Sequence, residues 1–277
     1  MLHGLSFDIE DYYQIIYRDY FQMEGVPGAE VERNTHWILD TLIETGISAT
    51  FFLLCNVVRQ FPALVKRIVH EGHEIAVHGY DHSLVFAMQP ADFRSAVTRA
   101  KEEIEQCAGA QAVGYRAPAF SINQSSLWAV DILKESGFLY DASIKNINKY
   151  SLCTPCLQKS IYRWPNGLYE IPLSCINILG QDIPVAGGGY LRHFPYWWTK
   201  YALQRLESKH CPGIVYMHPY EFEDSYPHVN THHKPLPLKL RVHTILQAHN
   251  RGQKQREKCK LLLCHFNFIP LKDLMVE

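Results

Sequence analysis

The chain has 277 residues, 47% of them hydrophobic and 20% charged, enough to bury one large core or two small ones and too apolar for a disordered chain. Lys and Arg number 27 against 28 Asp and Glu, for a formal charge of -1, so no global field attracts nucleic acid or an anionic membrane. The longest apolar stretch, "ISATFFLLCNVV", is too short and interrupted to span a bilayer, and no basic segment with an apolar run precedes Asp8. The expectation is therefore a soluble cytoplasmic protein without a transmembrane segment, its oligomeric state open.

Short β-rich runs alternate with segments of helical period, the pattern of a parallel sheet or barrel. "HGLSFDI" reads as a first strand, and Val31, Ile38 and Leu42 mark a helix from Ala29 to Glu44 that stops at Gly46. "ISATFFLL" reads as a buried second strand, "PALVKRIVHEG" as a short helix opened by Pro62 and closed by Gly72, and "HEIAVH" as a third strand. Phe93, Val97, Ala100, Ile104 and Cys107 repeat at the period of a core-facing helix between Pro90 and Gly109. Strand "AVGYRA" follows, then a helix capped by Asn123 and running to Gly137, then strand "FLYDASI". Residues 142–168 read as irregular. "YEIPLS" and the glycine-rich "VAGGGYLR" lead to an aromatic helix, "PYWWTKYALQRL", and a last core strand, "IVYMH". Beyond about residue 220, Leu238, Val242 and Ile245 are spaced for a helix whose many lysines and arginines form a solvated face.

The eight cysteines are scattered and read as small buried hydrophobes. The one close pair, "CTPC" at 153–156, has no second pair and no strand-to-helix context, so it reads as an ordinary loop.

Chemistry concentrates at strand ends. Side chains at i and i+2 of a strand share a face, so Asp8 and Glu10 point together while Asp11 points away or lies in the next loop. Two carboxylates on one face repel, which leaves three readings: a metal site, a general base beside one, or a solvated strand end. In "HGYDH", His78 and His82 follow the third strand, and neutral imidazoles at this spacing can reach one ion. The spacing alone is weak, because fifteen histidines supply such pairs by chance and His228 with His232 repeats it in a Pro-rich loop. Arg116 in "YRAPAF" and His218 in "VYMHP" each follow a strand, where an ordinary surface ion pair and a structural histidine are the plainer readings. The coincidence of position carries the weight. A parallel sheet gathers its strand C-termini on one face, so Asp8, Glu10, His78, His82, Arg116 and His218 would converge. One carboxylate with two imidazoles makes a facial metal site, a second carboxylate can take a proton, and a separate histidine can give one.

At these residues the chain resembles the polysaccharide deacetylases of carbohydrate esterase family 4, and among them the branch encoded with bacterial exopolysaccharide and exosortase-type loci. The matching pieces are "SFDIEDYYQ", "GISATFFLL", "HEIAVHGYDHSLV", "GYRAPAFSI", "YDASI", "PVAGGGYLRHFPYW" and "YMHPYEF", in order along the chain, with "FNFIPLKDLM" resembling that branch's ending. The resemblance implies an α/β fold, a distorted (β/α)7 barrel over residues 1–220 with a C-terminal extension, 221–277, packed on it. It implies hydrolysis of N-acetyl groups on the amino sugars of a polysaccharide or oligosaccharide, with a divalent metal, zinc by preference. By position it makes Asp8 the base, His78 and His82 metal ligands, Arg116 the residue that orients the base, and His218 the acid, with Asp141 supporting that histidine. The family's adjacent Asp pair is here spaced by Ile9, so Glu10 becomes the carboxylate ligand on strand period, with Asp11 the alternative. Tyr12, Tyr13, Phe120, Tyr190, Tyr196 and Trp197 suit stacking on sugar rings or packing in the core. Two other readings remain: a hydrolase of a small cyclic amide or ureide on the same fold, and a carbohydrate-binding protein without catalysis.

Overall fold

The computed structural model describes residues 1–12, 16, 25–145, 161–225 and 237–275. Tyr13, the "CTPC" pair, His228 and His232 lie outside the described residues.

Eleven strands occur among these residues: β1 (Leu2–Ile9), β2 (Thr50–Leu53), β3 (Glu74–Val77), β4 (Gly114–Tyr115), β5 (Tyr140–Asp141), β6 (Tyr162–Arg163), β7 (Tyr169–Glu170), β8 (Cys175–Ile178), β9 (Gln181–Pro184), β10 (Ile214–Met217) and β11 (Asn267–Ile269). Seven of them run side by side in parallel, in the order β10-β1-β2-β3-β4-β5-β7. β6 adds an antiparallel edge to β7, and β8 and β9 form a separate hairpin. The sheet curls into a half-barrel. Its open side, between the chain after β7 and β10, is joined by the Ile214 N–H donating to Ser174 Oγ (2.7 Å), the Tyr216 N–H donating to Ala186 O (3.1 Å) and one parallel bridge, Gly187 with Tyr216.

Alternation along the strands separates two apolar layers. On β1, Leu5, Phe7 and Ile9 face outward with Phe51, Leu53, Ile75 and Val77, into the main core beneath the helices Ala29–Thr45, Pro62–His70 and Pro90–Ala108. The opposite faces of the strands carry a smaller inner cluster of Phe52, Ala76, Tyr140, Ala142, Ile171 and Ile214. Ser6 and Asp8 belong to that inner face, which is how one strand serves both core and site.

Most predicted elements stand, with shorter strands. The second strand is Thr50–Leu53, and the apolar run beyond it enters a short helix, Cys55–Gln60, that the sequence did not announce. Asn123 caps a turn of 3-10 helix, accepting from the Ser125 N–H while the Ser126 hydroxyl accepts from the Asn123 N–H, and the α-helix proper runs Trp128–Glu135. The aromatic helix is Tyr196–Glu207. After it, the helix Leu238–Ala248 forms as its periodicity predicts, but Leu238 and Ile245 are 75% and 61% exposed, so the apolar stripe does not enter the core.

The last described segment is woven into the sheet. Helix Gln253–His265 leads to β11, which lies parallel to the start of β1, and Leu271 then enters the inner cluster. Its N–H donates to Thr50 Oγ (2.7 Å), and the Lys272 N–H donates to Glu74 Oε2 (3.1 Å), beneath the inner core. No helix among the described residues is long and apolar enough to cross a membrane.

Candidate metal and catalytic centre

The inner face of β1 carries Ser6 and Asp8, and Glu10 follows one residue past its end. Arg116, directly after β4, reaches across the sheet interior: one Nη1 donates to Asp8 Oδ1 (2.6 Å) and Ser6 Oγ (2.9 Å), and Nε donates to Ala142 O (3.3 Å). Its guanidinium carbon lies 4.1 Å from the centre of the Phe52 ring, so the cation is stacked as well as paired. Arg116 and Asp8 are both fully buried. Such a pair is held by geometry, since neither charge has water to fall back on.

Glu10 meets two imidazoles. Its Oε2 lies 3.1 Å from His78 Nε2 and 3.0 Å from His82 Nε2. His78 comes straight off β3, while His82 is turned back onto the site by a backbone in the left-handed region (φ 64°), at a conformational cost of about 1–2 kcal/mol. Asp11 faces elsewhere, its Oδ2 accepting the Gly28 N–H at 2.6 Å. Of the two carboxylates the sequence left open, the one beside the imidazoles is Glu10.

The tautomer of His78 tests whether a cation belongs here. Its Nδ1 faces the Arg116 carbonyl oxygen at 2.9 Å, a pure acceptor, so Nδ1 carries the proton. A neutral His78 then turns the lone pair of Nε2 toward a carboxylate oxygen, and two acceptors confront each other at 3.1 Å. Either a proton or a cation must lie between them. Glu10, His78 and His82 present ligand atoms that all fall within 4.8 Å of one another, and one carboxylate with two imidazoles is a donor set that suits a divalent transition metal. The residues fit a metal ion. Burial raises the Glu10 carboxyl, but the imidazoles of His82 and His78, with His218 behind them, outweigh it and hold the group well below the usual carboxylate range. Glu10 is thus an anion at neutral pH.

His218, one residue beyond β10, faces the same space, with Nε2 3.4 Å from Glu10 Oε1 and 3.9 Å from Asp8 Oδ2. Its other nitrogen, Nδ1, is 2.6 Å from Glu221 Oε1, in the turn Pro219–Phe222. Gln255 Nε2 donates to the second oxygen of Glu221 (2.9 Å), so the late helix Gln253–His265 supports the centre from behind. Burial would lower the His218 pKa, but the hydrogen bond to Glu221 and the charges of Glu10 and Asp8 outweigh it and raise the pKa above the ordinary histidine value. The shift is toward the imidazolium.

The carboxylate that supports His218 is therefore Glu221, and the expectation for Asp141 is corrected. Asp141 sits on β5, where Ser143 Oγ donates to its Oδ1 (2.5 Å) and register places it opposite Glu170 on β7. The glycines of "VAGGGYLR" also acquire a reason. A Cβ at Gly187 would stand 1.7 Å from a ring carbon of Tyr216, whose ring contacts His218 edge-on at 5.6 Å between centres. Only a glycine lets that backbone lie against the ring.

Residues 23–138 match the family model described as polysaccharide deacetylase. Over this part the chain is similar to polysaccharide deacetylases. The matched span holds His78, His82 and Arg116. Residues 142–276, with His218, Glu221 and Gln255, match a domain of unknown function, DUF3473. Among curated deacetylases, a peptidoglycan-N-acetylglucosamine deacetylase of Bacillus cereus is 30% identical over 122 residues, 40% of this chain and 44% of that one. A chitooligosaccharide deacetylase of a Bradyrhizobium species is 33% identical over 100 residues, 36% of this chain and 43% of its own. The chain spans less than half the length of these relatives. A structure from Mycobacterium smegmatis, named as a candidate polysaccharide deacetylase, superposes with a TM-score of 0.63 at 19% identity, covering 96% of this chain and 85% of the other. That likeness establishes the deacetylase-type fold, the curled parallel sheet with helices outside it.

Of the aromatic residues suited to stacking, Tyr12 is buried with its hydroxyl on Thr244 Oγ1 (3.1 Å), and Tyr196 is tied to His265 Nδ1 (2.7 Å). Phe120 is half-buried, packed on Tyr216 at 5.0 Å between centres, while Tyr190 and Trp197 are exposed. A row of rings leaves Tyr190 through Phe194 and Trp198 to Tyr201, with centres 6.3, 5.6 and 6.1 Å apart.

Proposed function

We propose that this chain is a metal-dependent hydrolase that removes N-acetyl groups from amino sugars of a polysaccharide, within exopolysaccharide biosynthesis. One observation carries the reading: a buried base pair, Asp8 with Arg116, and an acid pair, His218 with the buried Glu221, stand on two sides of the Glu10, His78 and His82 cluster.

In this reading Glu10, His78 and His82 hold the ion, with zinc matching the donor set. When bound, the ion supplies Lewis-acid polarisation of the amide carbonyl and lowers the pKa of a water. Asp8, oriented by Arg116, accepts the proton of the attacking water. His218 enters as the imidazolium, its Nδ1–H on Glu221, and donates from Nε2 to the sugar nitrogen, which leaves only once protonated. Ser6 and the Ala142 carbonyl keep the guanidinium from turning with its partner.

The exposed rings of Tyr190, Trp197 and Tyr201 suit an extended glycan, whereas a small cyclic amide calls for a closed pocket. The test is acetate release from N-acetylglucosamine oligomers and from the cognate exopolysaccharide by metal-loaded protein. Release by the wild type and its loss in Asp8→Asn support the reading; no release from any substrate ends it.

A further inference from the structure

Beside the centre lies a second cavity, of about 270 Å³, lined by Phe86, Phe120, Ile122, Asn123, Ile144 and Lys145 among others. One ring separates it from the catalytic residues: Phe120 packs on Tyr216 and lies 5.5 Å from the Arg116 guanidinium carbon, and Tyr216 in turn meets His218. Its wall is strained. Ala119 and Phe120 are consecutive non-glycine residues in the left-handed region, with φ of 52° and 54°, a conformation that costs energy at each position and collects at ligand-binding segments.

The lining contains one charge. Lys145 Nζ sits 4.7 Å from the centre of the Phe120 ring and donates to Ala119 O (3.3 Å), so it is fastened to the strained turn. Among the described residues no carboxylate lines the cavity and Lys145 makes no ion pair. Burial lowers the Lys145 pKa, with no anion beside it to raise it again. Asn123 has its Oδ1 taken by the Ser125 N–H and hydroxyl and keeps its amide NH2 as a second donor in the wall. A half-buried cation beside an aromatic face, with one neutral donor nearby, is complementary to a sugar that carries a single negative charge.

We propose that this cavity is a subsite for a carboxylate-bearing sugar next to the N-acetylated residue, with Lys145 as the group that selects it. The proposal rests on the deacetylase reading for its neighbour and extends it to the substrate class: an acidic, alternating glycan rather than a neutral homopolymer. The carboxylate can come from a uronic acid or from a lactyl ether, as in muramic acid, and the one positive charge suits either.

The experiment is calorimetric binding of three tetrasaccharides to the full chain at low salt: neutral N-acetylglucosamine, alternating N-acetylglucosamine and glucuronate, and alternating N-acetylglucosamine and peptide-free N-acetylmuramic acid. The wild type should bind at least one acidic oligomer about 10-fold more tightly than the neutral one, a factor in line with a charge-assisted contact. In Lys145→Met the ratio should fall to within about 2-fold, and Lys145→Arg should restore most of it. Which acidic oligomer wins identifies the carboxylate's source. Equal affinities for all three in the wild type, or a preference that survives Lys145→Met, would overturn the proposal. Acetate release followed separately tests the other reading: a Lys145-dependent preference without hydrolysis keeps the subsite and removes the activity, and hydrolysis without preference does the reverse.

Discussion

His218 and Glu221 are joined through Nδ1 and Oε1 at 2.6 Å in the turn that follows β10, with Glu221 fully buried and the histidine side chain 12% exposed. This contact decides the protonation of the histidine. It lies on the side of the ring away from Glu10, so its effect persists whatever occupies the space between Glu10 and the imidazoles. A histidine whose folded pKa is raised keeps its proton to a higher pH and loses it only as pH climbs through that raised value. An enzyme that needs the imidazolium should therefore lose activity on the alkaline side at that point. Glu221→Gln keeps the shape and removes the charge, so the alkaline limb of the pH–kcat profile should move to lower pH, with kcat down by about 10- to 100-fold at neutral pH. An unchanged alkaline limb would remove His218 as the acid.

Glu10 and Asp11 are adjacent in sequence and opposite in placement, one on two imidazoles and the other on the Gly28 amide. Calorimetry with zinc should show tight one-to-one binding in the wild type, a loss of about 100-fold or more in Glu10→Gln, and a change of only a few-fold in Asp11→Asn. Saturation should also raise thermal stability, since an ion present at about 100 times its Kd stabilises by about 2.7 kcal/mol. Removing the ion with a chelator should return the melting temperature to that of Glu10→Gln. The reverse order of the two variants would place the cation on Asp11.

Legibility in the sequence followed the physics of strands. Asp8, Glu10, His78, Arg116 and His218 stand at or just past strand ends, and a parallel sheet brings such ends together, so their convergence could be inferred from chain order alone. The period of two also separated Glu10 from Asp11 in direction. Glu221 was not legible as a partner, because it lies in a turn and its role depends on which nitrogen of His218 faces it. Gln255 lies a further 34 residues along the chain and has no local signature. The helix Cys55–Gln60 was hidden for a different reason: Phe51, Phe52, Leu53, Leu54 and Cys55 are all buried, so the run has no periodicity to mark where strand becomes helix. The converse holds for Leu238, Val242 and Ile245, whose spacing announced a helix but not that its stripe stays exposed.

Arg116 and Asp8 form a buried pair in which each charge depends on the other. Removing the cation in Arg116→Met strands a carboxylate in the sheet interior, with a loss of about 3–5 kcal/mol of folding stability in urea titrations. Asp8→Asn leaves a guanidinium that still has Ser6 and the Ala142 carbonyl, so its stability loss should be smaller while acetate release falls by about 100-fold or more. If Asp8→Asn proves the less stable of the two and retains activity, the pair is structural and Asp8 is not the base.

Asp141 and Glu170 give the last prediction. They face each other on β5 and β7, wholly buried, and Asp141 Oδ2 meets no N–H or O–H donor among the described residues. Two buried carboxylates in contact cannot both ionise cheaply, and one shared proton satisfies the exposed lone pair. Burial pushes the Asp141 carboxyl up to about 6, and burial with the neighbouring Asp141 charge pushes Glu170 well above the usual range. Both folded values lie above the unfolded ones, so the folded protein binds more protons and the pair's contribution is fully present below about pH 4. That contribution should fall away as pH rises through 6 and beyond. In urea unfolding followed from pH 4.5 to 8, the wild type should lose stability along this range, whereas Glu170→Gln, which keeps a donor and has no charge to bury, should show a flatter dependence. Parallel pH profiles for the two proteins would mean that the carboxyls do not hold a proton between them.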